Sequence, residues 1–207
     1  MKKEIRFAVV GCGRIGKRHI EMINATKGTS LVATCDLKSK ADLGIMNDVD
    51  HYDSTKSLFS QVDNIDVVAI ATPNGLHAIH ALEAIKSGAH PIIEKPMALK
   101  VKDAETVLHQ ALQNGKYVFG VMQNRYSPPS RWLKDIVSSK KMGSIFMVHI
   151  DCFWNRDDRY YKKGDWHGTK ELDGGTLFTQ FSHFIDILFW VFGDLNPTHV
   201  ELQNFNH

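Results

Sequence analysis

Over the first 122 residues, apolar positions fall in short continuous runs separated by stretches with helical spacing. Ile5 to Val10 reads as a strand buried on both faces, Gly11 to Gly16 as a tight turn, and about Arg14 to Thr26 as a helix. Leu31 to Asp36 is the next apolar run, with an acidic end, and residues 37–64 carry no clear pattern. Ile65 to Ala71 is an uninterrupted apolar strand. A helix from about Leu76 to Ser87, a break at Gly88, a strand from His90 to Glu94, a helix from about Val101 to Asn114 and a strand from Tyr117 to Met122 complete the series. Strands alternating with helices predict an α/β domain built on a doubly wound parallel sheet.

The pattern changes after Asn124. Pro128-Pro129 punctuates the chain, a helix is predicted from Pro129 to Ser139, and Ile145 to Phe153 reads as a longer strand of mixed polarity. Residues 155–175 are rich in charged, aromatic and glycine residues without either period, and loops of this length commonly carry function. An apolar helix from Thr176 to Phe192 and a strand from His199 to Leu202 close the chain. These elements divide it into residues 1–123, an α/β domain, and 124–207, the unfinished-looking first part of a second, α+β domain.

Composition narrows the partners. With 207 residues and 43% hydrophobic content the chain can build a sizeable core. Its 25 Lys and Arg are scattered and nearly balanced by 23 Asp and Glu, which argues against a nucleic-acid partner. Cys12, Cys35 and Cys152 are odd in number and lack C-x-x-C spacing, so neither a disulfide framework nor a zinc site is expected, and a reducing cytoplasm fits. Met1-Lys2-Lys3 before an apolar run ending at Gly11-Cys12 superficially imitates a lipoprotein signal, but the run is too short, and no stretch approaches a membrane span.

The chemistry concentrates at strand ends. Gly11-x-Gly13-x-x-Gly16, with Arg14 and Ile15 inside it, lies between a strand and a helix, where glycines let backbone approach a pyrophosphate at the helix N-terminus. Asp36 stands 20 residues beyond Gly16 at the end of the second strand, placed to accept hydrogen bonds from a ribose. An acid there repels a 2′-phosphate, which favours NAD, while Lys38 and Lys40 leave NADP use open. Thr72-Pro73-Asn74-Gly75-Leu76-His77 follows the third buried strand, and Glu94-Lys95-Pro96 the next, so both loops reach the same edge. A lysine there can bind a substrate oxygen that gains charge during hydride transfer. Thr179, His183 and Asp186 recur at spacings of four and three on one helical face. His183 is either a functional group or a satisfied core histidine, and Asp186 either orients it or neutralises it. His109, His149 and His167 have no ligand spacing with it, so no metal is expected.

Taken in order, these loops, together with Gln123-Asn124-Arg125 and with Gly174-Gly175 followed by His183, resemble the glucose-fructose oxidoreductase, inositol dehydrogenase and MocA family over nearly the whole chain. The resemblance implies a Rossmann domain followed by an open, mostly antiparallel sheet that builds homo-oligomers, dimers or tetramers, when complete. It implies hydride transfer between NAD(P) and carbinols of sugars and cyclitols. Lys95 and His183 would then be catalytic, Lys95 binding the reacting oxygen before a cis Pro96 and His183 acting as acid/base. Many members carry an Asp where Thr179 stands, so a Lys, Asp, His triad is not expected. Asn124, Arg125 and Thr179 would contact substrate, and Thr72, Asn74, His77, Glu94, Gln123 and Trp166 the cofactor. Tyr160 to Asp173-Gly174-Gly175 is similar to members that oxidise nucleotide-linked amino sugars, the UDP-N-acetylglucosaminuronate 3-dehydrogenases. The chain is shorter than the family pattern, which, with Thr179, keeps a non-catalytic dinucleotide-binding scaffold or sensor as the second reading.

Overall fold

Six parallel strands form one sheet in the computed structural model, which describes residues 4–46, 48–162, 165–201 and 203. Strands β1 (Ile5–Val10), β2 (Thr29–Cys35), β3 (Asp50–Tyr52), β4 (Val67–Ile70), β5 (His90–Ile93) and β6 (Phe119–Gly120) lie in the order β3-β2-β1-β4-β5-β6. The intervening helices are α1 (Arg14–Ala25), α2 (Lys40–Leu43), α3 (Thr55–Gln61), α4 (His77–Lys86) and α5 (Val101–Gln113). The strand order changes direction at the parallel β1/β4 pair, the switch point outside which doubly wound sheets bind ligands at their carboxyl edge.

Burial follows the strand pleat. Ala8 and Val10 of β1, with Val68 and Ile70 of β4, face a cluster completed by Leu58 of α3, Ala81, Ala84 and Ile85 of α4, and Val107 and Ala111 of α5. Val9 and Ala69 face the opposite way, onto Ile20 and Ile23 of α1 and Leu43 of α2. Successive side chains therefore bury on opposite faces, which is why the strands read as continuous apolar runs. The β1/β2 register slips between Phe7 and Ala8 of β1, passing over Val32 of β2, so Leu31 joins the α1 cluster and Ala33 the other, although both are odd-numbered.

Three elements between residues 40 and 61, α2, β3 and α3, arise in the stretch without visible period. Each is at most seven residues long. Ser39 and Ser54 cap the two helices by accepting the Asp42 and Ser57 amides. Leu58 is the one fully buried side chain of α3 and seats it against the sheet, with Phe59 partly buried on the same cluster.

The chain divides into two compact units, Met1–Val121 with Asn155–Ser182, and Met122–Trp154 with His183–His207. The chain leaves the first unit after Val121, and residues 155–182 return to it. They dock on the loop after β4: the Gly75 amide donates to the Leu172 carbonyl at 2.9 Å, and a Cβ on Gly75 would lie 2.0 Å from the Glu171 oxygen.

In the second unit, α6 (Pro128–Ser138) starts with prolines at its first positions and Ser127 as cap. Helix α7 (Ser182–Phe192) follows one wide turn, Leu177–Phe181, where a regular helix was expected from Thr176. Lys134 donates to the Trp190 carbonyl at 2.5 Å, tying α6 to α7. Ile145 to Phe153, expected as a strand, forms no ladder, because nothing among the described residues pairs with it, and Phe146 and Phe153 are almost fully exposed. Residues 199–201 are also without strand pairing, and Leu202 lies outside the described residues. The mostly antiparallel sheet implied by resemblance thus has no strand among the described residues of this unit.

Leu58→Ala should remove about 2–5 kcal/mol of stability, read as a lower urea midpoint. A loss below about 1 kcal/mol would mean that α3 is not seated by this side chain.

Candidate functional site

The turn after β1 owes its shape to two close backbone contacts. Gly11 has φ +85°, and a Cβ there would sit 2.6 Å from the Ala71 carbon and the Thr72 nitrogen. A Cβ on Gly16 would lie 1.9 Å from the Gly11 oxygen, so α1 can approach the turn only through glycine. Gly13 differs: nothing lies within 4 Å of its Cβ position. It caps α1 without a side chain, and the first turn of α1 holds no acidic residue. Uncapped amides, open space and the positive end of a helix together fit a pyrophosphate. Arg14 and Ile15 are exposed at the same turn.

Asp36 directly follows β2 and ties this turn down. Its Oδ2 accepts the Cys12 amide at 2.7 Å and its Oδ1 the Lys38 amide at 2.9 Å. A carboxylate has further lone pairs, so both bonds leave room for ribose hydroxyls. Beside it a cavity of about 520 Å³ is lined by Asp36, Lys38, Ser39, His51, Tyr52 and Asp53.

The loops after β4 and β5 are woven into residues 165–182. Asn74, buried, gives one amide hydrogen to the Asp173 carbonyl and the other to the Thr179 hydroxyl, both at 2.8 Å. Asp173 is also buried; its Oδ2 accepts the Gly168 amide at 2.8 Å and its Oδ1 the Thr179 hydroxyl. The Lys95 Nζ donates to the Thr179 carbonyl, and the Lys95-Pro96 peptide is cis. Burial pulls the Lys95 ammonium below the ordinary lysine value, with the Glu94 and Asp173 carboxylates opposing it. Glu94 itself meets His19 of α1 at 2.9 Å.

His77, expected on the cofactor, is 1% exposed, with Nδ1 at 2.7 Å from the Pro96 carbonyl and Nε2 at 2.8 Å from that of Thr72. No polar atom of its ring remains for a ligand, so its place is in the frame that joins the two loops. Burial lowers its pKa, against the two carbonyls. The Thr72 hydroxyl pairs with His80 at 3.1 Å. Trp166 stacks on His167 with ring centroids 3.9 Å apart, and His167 in turn packs against Tyr160.

Within the second unit, Gln123, Asn124 and Arg125 form one short helical turn, Gln123–Tyr126. Arg125 clamps Asp186 with both fork positions, Nε to Oδ2 at 2.8 Å and Nη2 to Oδ1 at 2.5 Å. That pair raises the arginine pKa and makes Arg125 the partner that the sequence did not assign to Asp186. The wide turn before α7 breaks the regular period on which the shared face of Thr179, His183 and Asp186 depended. His183 lies in the first turn of α7.

Sequence reasoning also missed Asp173 and His19; the only local signal for Asp173 was its place before Gly174-Gly175. Cys12 and Cys35 are buried, and burial pushes both thiols up to about 12, so neither is a nucleophile at neutral pH. Among the described residues no group of three His, Cys, Asp or Glu could hold a metal, and no helix is long and apolar enough to cross a membrane.

The chain matches the oxidoreductase family with NAD-binding Rossmann fold, Gfo/Idh/MocA, over residues 5–121 and the family's C-terminal domain over residues 130–207, and it belongs to that family. The WlbA dehydrogenase of Bordetella pertussis, solved with NADH and UDP-GlcNAcA, is 34% identical with TM-score 0.85, over 93% of this chain and 56% of that one. WlbA of Chromobacterium violaceum, solved with the same two molecules, is 34% identical with TM-score 0.84 over the same shares. An inositol 2-dehydrogenase/D-chiro-inositol 3-dehydrogenase of Halalkalibacterium halodurans is 26% identical, over 92% of this chain and 53% of that protein. The chain spans about half the length of the curated relatives it matches.

Gly13→Ala should fold like the parent and bind NAD about tenfold more weakly, a loss near 1.4 kcal/mol. Gly16→Ala should instead lose about 1–3 kcal/mol of stability from overpacking. Calorimetric titration and thermal melts of both variants separate these outcomes; equal behaviour would contradict the geometry.

Proposed function

We propose that the protein is an NAD-dependent oxidoreductase that transfers a hydride between a secondary alcohol of a sugar and the nicotinamide. The observation that carries this reading is the Lys95 ammonium, held in a partly buried position at the carboxyl edge of a sheet whose glycine turn fits a dinucleotide. NAD, held by the turn from Gly11 to Gly16 and by Asp36, supplies the hydride acceptor when bound.

Lys95 has three ammonium hydrogens, of which the Thr179 carbonyl takes one. The other two can donate to a substrate oxygen and stabilise the charge it gains as the C–H bond breaks. His183 receives the hydroxyl proton, and in the reductive direction returns it. Trp166 would cover the nicotinamide, Glu94, Thr72 and Gln123 would line the cofactor, and Asn124 and Arg125 would contact the sugar, while the Thr179 hydroxyl and carbonyl, engaged by Asn74, Asp173 and Lys95, serve the frame. The likeness to WlbA proteins at 34% identity supports a nucleotide-linked amino sugar as substrate, and the inositol dehydrogenase relative keeps cyclitols in the panel. On this reading the protein works in the reducing cytoplasm, with its three cysteines unpaired, as a homo-oligomer.

Reduced-cofactor absorbance with UDP-linked amino sugars, free sugars and inositols tests this directly. Turnover should appear with a member of the first class, and Lys95→Ala should lower it by on the order of 100-fold to 1000-fold. Turnover within a few-fold of the parent would remove Lys95 from the chemistry, and silence across the panel would favour the scaffold.

A further inference from the structure

We propose that Asp173 is the positioning residue for Lys95, acting through the hydroxyl and carbonyl of Thr179. This rests on the reading of Lys95 as the group that binds the substrate oxygen.

The hydrogen-bond directions at Thr179 are fixed by what its partners can do. Asn74 Nδ2 is only a donor, so the Thr179 hydroxyl accepts from it at 2.8 Å and must give its one proton elsewhere. The acceptor is Asp173 Oδ1. The second hydrogen of Asn74 Nδ2 goes to the carbonyl of Asp173 itself, and Asp173 Oδ2 takes the Gly168 amide. Asn74, Asp173 and Thr179 thus form a closed set, buried around a carboxylate that is 1% exposed. A buried carboxylate is costly unless its charge is used.

The chain is bent to place this set. Gly174 and Gly175 have φ of +75° and +96°, and a Cβ on Gly174 would meet Leu99 Cδ2 at 2.4 Å. The turn carries the backbone from Asp173 into the wide turn that holds Thr179, whose carbonyl receives Lys95. Each bond in the series constrains the next, so the carboxylate determines where the Lys95 ammonium rests. Asp173 also acts on Lys95 by charge. The titratable groups facing Lys95 are Glu94, Asp173 and His77; both carboxylates favour the ammonium and burial opposes it. Neutralising Asp173 therefore leaves burial less opposed and moves the lysine titration to lower pH.

The test compares Asp173→Asn, Thr179→Val and Thr179→Ser with the parent, each checked for a parental melting profile. Lys95 is titrated by competitive acetylation across a pH series, read by peptide mass spectrometry, and kcat and KM are measured beside it. Asp173→Asn should lower the Lys95 midpoint and cut kcat about tenfold to a hundredfold with a smaller change in KM. Thr179→Val should cut kcat similarly, and Thr179→Ser, which keeps the hydroxyl, should restore it relative to Val. A folded Asp173→Asn with the parental Lys95 midpoint, or Val and Ser variants that behave alike, would overturn the proposal. A shifted midpoint in Asp173→Asn alongside full turnover in Lys95→Ala would support the network and overturn the catalytic part of Lys95.

Discussion

The backbone turn after β1 comes so close to the end of β4 that a Cβ on Gly11 would lie 2.6 Å from the Ala71 carbon, and α1 presses on the same turn through Gly16. No side chain fits between these segments, so the N-terminus of α1 and the start of the Thr72 loop are held at one crevice. Asp36 secures the turn from the other side by accepting the Cys12 amide at 2.7 Å. The result is a rigid backbone cradle in which the single glycine with open space, Gly13, faces outward. Anion recognition by backbone amides needs this combination, because the donors must be preorganised and unobstructed.

Behind the cradle, the polar residues of the edge are divided between frame and reach. His77 joins the Thr72 and Pro96 carbonyls, and Asn74 joins Asp173 to Thr179. These side chains stabilise loops by spending their hydrogen-bonding capacity inside the protein. Lys95 is different, since one bond to the Thr179 carbonyl leaves most of its donor capacity free. This chain's Rossmann domain therefore carries a cation at the carboxyl edge of its sheet that is bonded to a segment, residues 165–182, far along the chain.

Much of the first domain was legible because its strands bury both faces and its helices are long enough to show a period. Ile5–Val10 and Arg14–Ala25 match their expected spans almost residue for residue. Elements α2, β3 and α3 were not legible, since four, three and seven residues are too short to display a period. Ile145 to Phe153 has strand composition, but pairing is a property of two segments, and composition reports only one. At the turn after β1, Gly11 and Gly16 stand where close backbone contacts leave no room for a Cβ, so the glycine spacing was visible in the sequence. Asp173 was hidden, because Asp-Gly-Gly looks like any turn until Asn74, 99 residues away, is seen bonded to it. The Arg125 and Asp186 pair, 61 residues apart, was invisible for the same reason.

Calorimetric titration of the protein with NAD and with NADP tests most directly whether the glycine turn and Asp36 together hold NAD. Saturable binding with NAD favoured by about tenfold or more is the predicted result, since the Asp36 carboxylate accepts ribose hydroxyls and repels a 2′-phosphate. Equal affinities, or no binding of either, would contradict it.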